Sequence, residues 1–215
     1  MNEEGANFLY YVYTENKTQQ VNDSWFSHAT NMTTFIDLNM KNSINSRSFY
    51  TNKIKTKLKQ VYVQGWKSEL FSDERKADHG NKLRTYRTFK KDFKTESYVK
   101  YCTNESHRTA LARFRLGAHR LNIETQRYIK PRIPPENRIC NNCDIGETED
   151  EFHFIMKCKH YEYKRKILFQ DVNAKFDYFA SMTEECKFKW LCSNSNIYVI
   201  NLLGSFIKLC FEARV

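Results

Sequence analysis

Cys140-Asn141-Asn142-Cys143-Asp144-Ile145-Gly146-Glu147-Thr148-Glu149-Asp150-Glu151-Phe152-His153-Phe154-Ile155-Met156-Lys157-Cys158 is the stretch on which the reading of this 215-residue chain turns. Two cysteines three positions apart can present both sulfurs to one ion from a single tight turn. A histidine and a cysteine from a later segment can then complete a tetrahedron. Three thiolates and one imidazole suit Zn2+, a borderline-soft cation that imposes no geometry of its own. Four protein ligands leave no position for water, so an ion held by Cys140, Cys143, His153 and Cys158 would be structural and not catalytic. His160, two residues beyond Cys158, is a rival fourth ligand, and cysteines that merely pack are the remaining alternative. Glu147, Glu149, Asp150 and Glu151 could be read as a catalytic acid cluster. The expectation here is that they open a helix bearing His153, because acids favour the positive end of a helix dipole.

Upstream of this stretch lies the charge. The chain has 35 Lys and Arg against 25 Asp and Glu, a net of +10. Between Asn81 and Arg132 there are fourteen basic residues against four acidic ones, also a net of +10, so the rest of the chain sums to zero. Such asymmetry points to an acidic partner, most often nucleic-acid phosphate. The alternatives are a solvated basic face, or a fragment of a larger protein whose other parts supply the acid. Residues 82–101 alternate bases with aromatics. Arg84, Arg87, Lys90, Lys91 and Lys94, with Arg113, Arg115 and Arg120 from the next segment, are the candidate nucleic-acid contacts. Tyr86 and Phe89 are candidate platforms for unpaired bases, although core packing is the preferred reading for Phe89 and Phe93.

Periodicity predicts a mainly α fold: a small helical domain organised around one Cys-Cys-His-Cys structural zinc site. Helices are expected over 46–71, 106–121, 159–169 and 196–214. In the second, Ala110, Leu111, Phe114, Ala118 and Leu121 fall on one arc, while Arg108 and Arg115 take one flank and Arg113 and Arg120 the other. In the last, Ile200, Leu203, Phe206, Ile207, Cys210 and Phe211 repeat at three and four, a core stripe. The expected divisions are a poorly predicted N-terminal segment (1–45), a basic helical region (46–135), the zinc-binding segment with its following helix (136–170) and a C-terminal helical segment (171–215).

Several classes are excluded by composition. The longest apolar stretch, Ile197 to Phe211, is interrupted by Asn201, Ser205 and Lys208 and falls short of the about 20 apolar residues that span a bilayer. Met1-Asn2-Glu3-Glu4 is acidic where a signal peptide is basic, so an intracellular location, nuclear or cytoplasmic, is expected. Seven cysteines in a reducing compartment argue against a disulfide framework. Cys102, Cys186, Cys192 and Cys210, scattered among apolar neighbours, read as buried thiols. No phosphate-binding G-x-x-x-x-G-K-[ST], no G-x-S-x-G and no H-E-x-x-H occurs, so neither an enzyme nor a small-molecule substrate is expected.

The run Leu111-Ala-Arg-Phe-Arg-Leu-Gly-Ala-His-Arg-Leu-Asn-Ile-Glu-Thr-Gln-Arg-Tyr128 is followed by Arg138-Ile-Cys140-x2-Cys143, Glu149-Asp-Glu-Phe-His-Phe154 and Cys158-x2-Tyr161-x3-Arg165. Together they resemble the C-terminal zinc-binding region of reverse transcriptases from LINE-type (non-LTR) retrotransposons. Lys82-Leu-Arg-Thr-Tyr86-x2-Phe89-Lys90-x2-Phe93 and Leu203-x2-Phe206-Ile207-x4-Glu212-x-Arg214 are similar to that family as well, so the likeness spans roughly residues 55–215. It implies a zinc-stabilised, mostly helical region that contributes to RNA or DNA binding, single-stranded or structured, with Cys140, Cys143, His153 and Cys158 as metal ligands. Gln126 stands where the pattern favours Gly, and Lys159 where it favours Pro. The carboxylates of a polymerase palm and the Pro-Asp…Glu-x-Lys constellation of a nuclease are absent from the sequence, so the resemblance is to a binding tail without its catalytic engine. A zinc-stapled structural or protein-interaction fragment is the alternative.

Overall fold

The structure, a computed structural model, describes residues 47–72 and 80–214; the N-terminal segment 1–45 of the sequence reading lies outside the described residues. Helix α1 (Arg47–Phe71) matches the helix expected over 46–71. Residues up to Trp66 fall in one compact unit and those from Lys67 onward in a second. All the elements after α1 lie in the second.

The last turn of a helix leaves carbonyls without partners. In α1 those of Glu69 and Leu70 accept hydrogen bonds from Asn81 Nδ2 (3.3 and 3.0 Å), while Asn81 Oδ1 accepts from the Leu83 amide (2.8 Å). Two short helices follow, α2 (Tyr86–Phe89) and α3 (Ser97–Tyr101). Helix α4 (Glu105–Arg115) begins where Asn104 Oδ1 accepts from the His107 amide at 3.2 Å, the standard repair for an orphan N-terminal donor. It stops well short of Leu121, the end expected from periodicity. Gly117 takes a φ of +63°, a left-handed conformation that ends helices, and a side chain there would sit 2.9 Å from the Lys82 carbonyl oxygen. Ala118, placed on the core arc by periodicity, is exposed in consequence; Leu111, Phe114 and Leu121 are buried as expected.

Beyond a single turn, α5 (Asn122–Thr125), the chain passes through the cysteine-bearing segment into α6 (Glu162–Asn173), α7 (Glu184–Ser193) and α8 (Ile197–Glu212). Periodicity did not suggest α7, although Thr183 Oγ1 caps it by accepting from the Cys186 amide (3.3 Å) and Phe188, Leu191 and Cys192 bury its inner face. The predicted stripe of α8 is buried at Ile200, Leu203, Phe206, Ile207 and Cys210, and the helix packs against both α4 and α6. At the α4 crossing only a glycine fits: a Cβ on Gly204 would lie 2.8 Å from His107 Cβ.

Phe154 sits at the centre of the core. Its ring stacks on Phe211 (4.8 Å, 17°), meets Tyr161 edge-on (4.8 Å) and lies 5.8 Å from Phe114. Burying such a ring contributes roughly 1.5–3 kcal/mol, and each well-formed aromatic pair adds about 0.5–1.5 kcal/mol. The fold is therefore mainly α, as the sequence predicts. Among the described residues there is no strand, only an isolated antiparallel bridge between Ile139 and Thr148.

Candidate metal centre

That bridge builds the first half of the site. The Cys140 amide donates to the Glu147 carbonyl (3.0 Å) and the Glu149 amide to the Arg138 carbonyl (2.9 Å), closing a ribbon whose turn runs through Gly146 at φ +72°. The turn carries Cys140 and Cys143. The second half is a helical turn entered at Asp150, whose Oδ1 accepts from the His153 amide (2.7 Å), and continued as a π-helix over His153–Lys157. The wide turn ends at Cys158, where the Cys158 amide bonds the His153 carbonyl (2.8 Å). His153 and Cys158 are thereby set facing the cysteine turn.

The four ligand atoms of Cys140, Cys143, His153 and Cys158 all lie within 4.8 Å of one another. Cys140 Sγ and Cys158 Sγ are 3.9 Å apart, and Cys143 Sγ is 3.3 Å from His153 Nε2. A regular tetrahedron with the usual zinc bond lengths has edges of about 3.8 Å between sulfurs and about 3.6 Å from sulfur to nitrogen, so the donor set fits a zinc-sized ion. Cys140, His153 and Cys158 are buried; Cys143 is partly accessible. Burial pushes the Cys140 and Cys158 thiols up from their ordinary values; three adjacent sulfurs become thiolates together only when a cation compensates them. His160 is exposed, its ring against Tyr161 (4.8 Å), and stands outside the cluster.

The neighbouring side chains orient these ligands. His153 Nδ1 faces Glu147 Oε2 at 3.4 Å, and Glu147 is paired with Lys157 (2.9 Å), so the imidazole presents Nε2 inward. Glu149 is almost fully buried. It receives the Asn122 amide (2.7 Å), Asn142 Nδ2 (3.0 Å) and both ends of the Arg214 guanidinium, and Cys140 Sγ lies 3.4 Å away. Arg138, 1% exposed, donates to the carbonyls of Ile123 (2.8 Å) and Ile133 (3.1 Å) beneath the ribbon.

The acidic residues do more than open a helix. Asp150 does cap a helical turn, but Glu151 turns inward. It accepts two hydrogen bonds from Arg84 (2.9 and 3.0 Å) and one from Thr85 Oγ1 (2.7 Å), and lies 2.9 Å from His119 Nε2. Burial alone would raise a carboxyl's pKa; here His119, Arg84 and Thr85 outweigh it and hold Glu151 at about 2. Glu124 joins the same network through Arg84 (2.6 Å) and Arg127 (2.9 Å).

This network redistributes the candidate nucleic-acid contacts. Arg84 is tied to Glu124 and Glu151. Arg115 and Lys90 both pair with Glu96 at 2.5 Å. Arg87 is half-buried and has partners of its own. Lys94 is exposed and pairs with its neighbour Asp92; Lys91, Arg113 and Arg120 are exposed. Of the two proposed platforms, Tyr86 is buried with its hydroxyl on Glu96 (2.8 Å), and Phe89 lies 4.8 Å beneath the Arg115 guanidinium. Phe93, expected to pack, is 45% exposed. Cys102, Cys192 and Cys210 are buried as expected, but Cys186 is exposed, because it sits on the outer face of α7.

Fold and site together define a helical domain whose ribbon and π-turn converge three cysteines and one histidine on a site that can hold a metal ion. The chain matches no family model, no curated protein and no solved structure. Among the described residues no helix is long and apolar enough to cross a membrane.

Proposed function

We propose that this chain is a non-catalytic, zinc-stabilised nucleic-acid-binding module resembling the tail of LINE-type (non-LTR) reverse transcriptases. The convergence of the four ligand atoms to within 4.8 Å carries the reading. Bound there, Zn2+ would clamp the Cys140–Cys143 turn to the His153–Cys158 segment and compensate three thiolates. With all four positions taken by protein there is no site for a reacting water, which accords with a role in shape and not in chemistry. Reduced cysteines fit an intracellular setting, nuclear or cytoplasmic.

The excess of ten positive charges between Asn81 and Arg132 supports RNA or DNA, single-stranded or structured, as the partner. The test is a titration of a fluorescent oligouridylate against the zinc-loaded chain at several salt concentrations. Affinity that falls with a log–log slope near −0.7 for each phosphate contacted supports the reading; no binding, or a flat dependence, removes it. One observation favours a second reading, a zinc-stapled piece that serves structure or protein contacts. Arg84, Lys90 and Arg115 spend their charge on internal carboxylates. Retention on heparin without binding to RNA would favour that alternative.

A further inference from the structure

The arginines of α4 divide by flank. Arg108 donates to the Cys102 carbonyl (2.9 Å) and Arg115 is buried against Glu96, so one flank is consumed by the fold. Arg113, on the other flank, is exposed. The left-handed turn at Gly117 then redirects the chain, bringing Arg120 to the same opening as Arg113. Both line a cleft of about 860 Å³ between α4 and α8. Neither guanidinium is paired with a carboxylate among the described residues, whereas Lys208 on the facing helix is offset by Glu212 at 3.3 Å. Glu105, also on the lining, stands eight residues before Arg113, about 12 Å along the helix axis.

The cleft has an aromatic side as well. Phe211 is half-buried there. Its ring lies parallel to His119 (6.2 Å, 17°) and to the core ring Phe154 (4.8 Å, 17°), and this packing sets its orientation. Two unpaired guanidiniums beside an aromatic face match phosphate plus base, the recurring pairing of single-strand recognition. A cleft of this volume is in the range of ligand pockets. An unpaired nucleotide can enter it, whereas a base in a duplex must first be unstacked.

The geometry points to the α4–α8 cleft as a seat for single-stranded nucleic acid, with Arg113 and Arg120 on the phosphates and a base against Phe211. This rests on the nucleic-acid reading above and replaces most of the sequence-derived contact set with one face. RNA and DNA share this chemistry, and parallel oligouridylate and oligothymidylate arms of about a dozen nucleotides separate them.

The experiment measures fluorescence anisotropy with the full, zinc-loaded chain. The double variant Arg113→Gln/Arg120→Gln alters only exposed side chains, and a control, Lys100→Gln/Lys189→Gln, removes the same charge from exposed positions outside the cleft. The cleft variant should bind roughly tenfold more weakly and lose about 1.4 from its salt slope, two single-strand contacts' worth. The control should change affinity far less. An abasic oligomer with the same phosphates should bind about fivefold more weakly or worse, since stacking is lost. Equal losses in both variants, or an abasic strand or a polyglutamate peptide binding as well as oligouridylate, overturn the cleft while leaving a generic polyanion surface. If the unaltered chain binds no oligonucleotide, the nucleic-acid reading falls with it.

Discussion

Gly204→Ala is predicted to destabilise the protein, although the same exchange in a free helix stabilises it. Alanine is favoured over glycine in a helix interior by about 0.8–1.0 kcal/mol. At Gly204 the new methyl would lie 2.8 Å from His107 Cβ, 3.3 Å from the His107 carbonyl oxygen and 3.2 Å from Leu111 Cδ1. Two of these are backbone or next to it and cannot rotate away, so α4 and α8 must separate. Overpacking of this kind costs about 1–3 kcal/mol. The clash therefore exceeds the propensity gain, leaving a net loss of about 1 kcal/mol and a fall in Tm of about 2–4 °C. Gly65, exposed within α1, has nothing within 4 Å of its would-be Cβ and serves as the control. Gly65→Ala should raise the helical circular dichroism signal slightly and leave Tm no lower. Thermal melts of both variants with zinc present decide the matter. A Gly204→Ala protein that melts higher than the unaltered chain would refute the close crossing of α4 and α8, and with it the architecture that shapes the cleft.

Other predictions address the buried ion pairs and the thiols. Arg214→Gln strips the bidentate partner from the buried Glu149 and should cost about 3–5 kcal/mol in urea denaturation. Glu96 is partly desolvated, which alone would raise its pKa, but Lys90, Arg115 and Tyr86 hold it below the ordinary value. Its contribution is therefore present above the unfolded carboxylate pKa of about 4.3 and is lost as pH falls through the lower folded value. Glu96→Gln should flatten the stability curve below about pH 4.3; an unchanged acid limb would contradict the pairing. Alkylation of the native, zinc-loaded chain should modify Cys186 rapidly, and a chelator should then expose Cys140, Cys143 and Cys158. Modification of those three at the same rate before and after chelation would contradict a metal-held cluster.

What the sequence disclosed follows from how local each signal is. Cys140, Cys143, His153 and Cys158 lie within nineteen residues, and their spacing was enough to pick them out; the periodic stripe of α8 was equally local. The early end of α4 is written in Gly117, but the close approach of the Lys82 backbone that leaves no room for a side chain there is a tertiary fact. Helix α7 carried a readable start at Thr183 and apolar residues at Phe188, Leu191 and Cys192, obscured by the lysines and glutamates between them. The acidic run opens a helical turn at Asp150, as expected, but the ion pairs of Glu149 and Glu151 are not legible because their partners are remote. Arg84 reaches Glu151 across 67 residues and Arg214 reaches Glu149 across 65, and no periodicity reports such pairs. For the same reason the basic segment looked freer than it is.

Native mass spectrometry of the intact chain beside Cys140→Ser tests the metal centre most directly. The account predicts one zinc per unaltered chain, and in the variant the loss of both the zinc and the cooperative thermal transition. A well-folded, cooperatively melting protein that carries no zinc would contradict it.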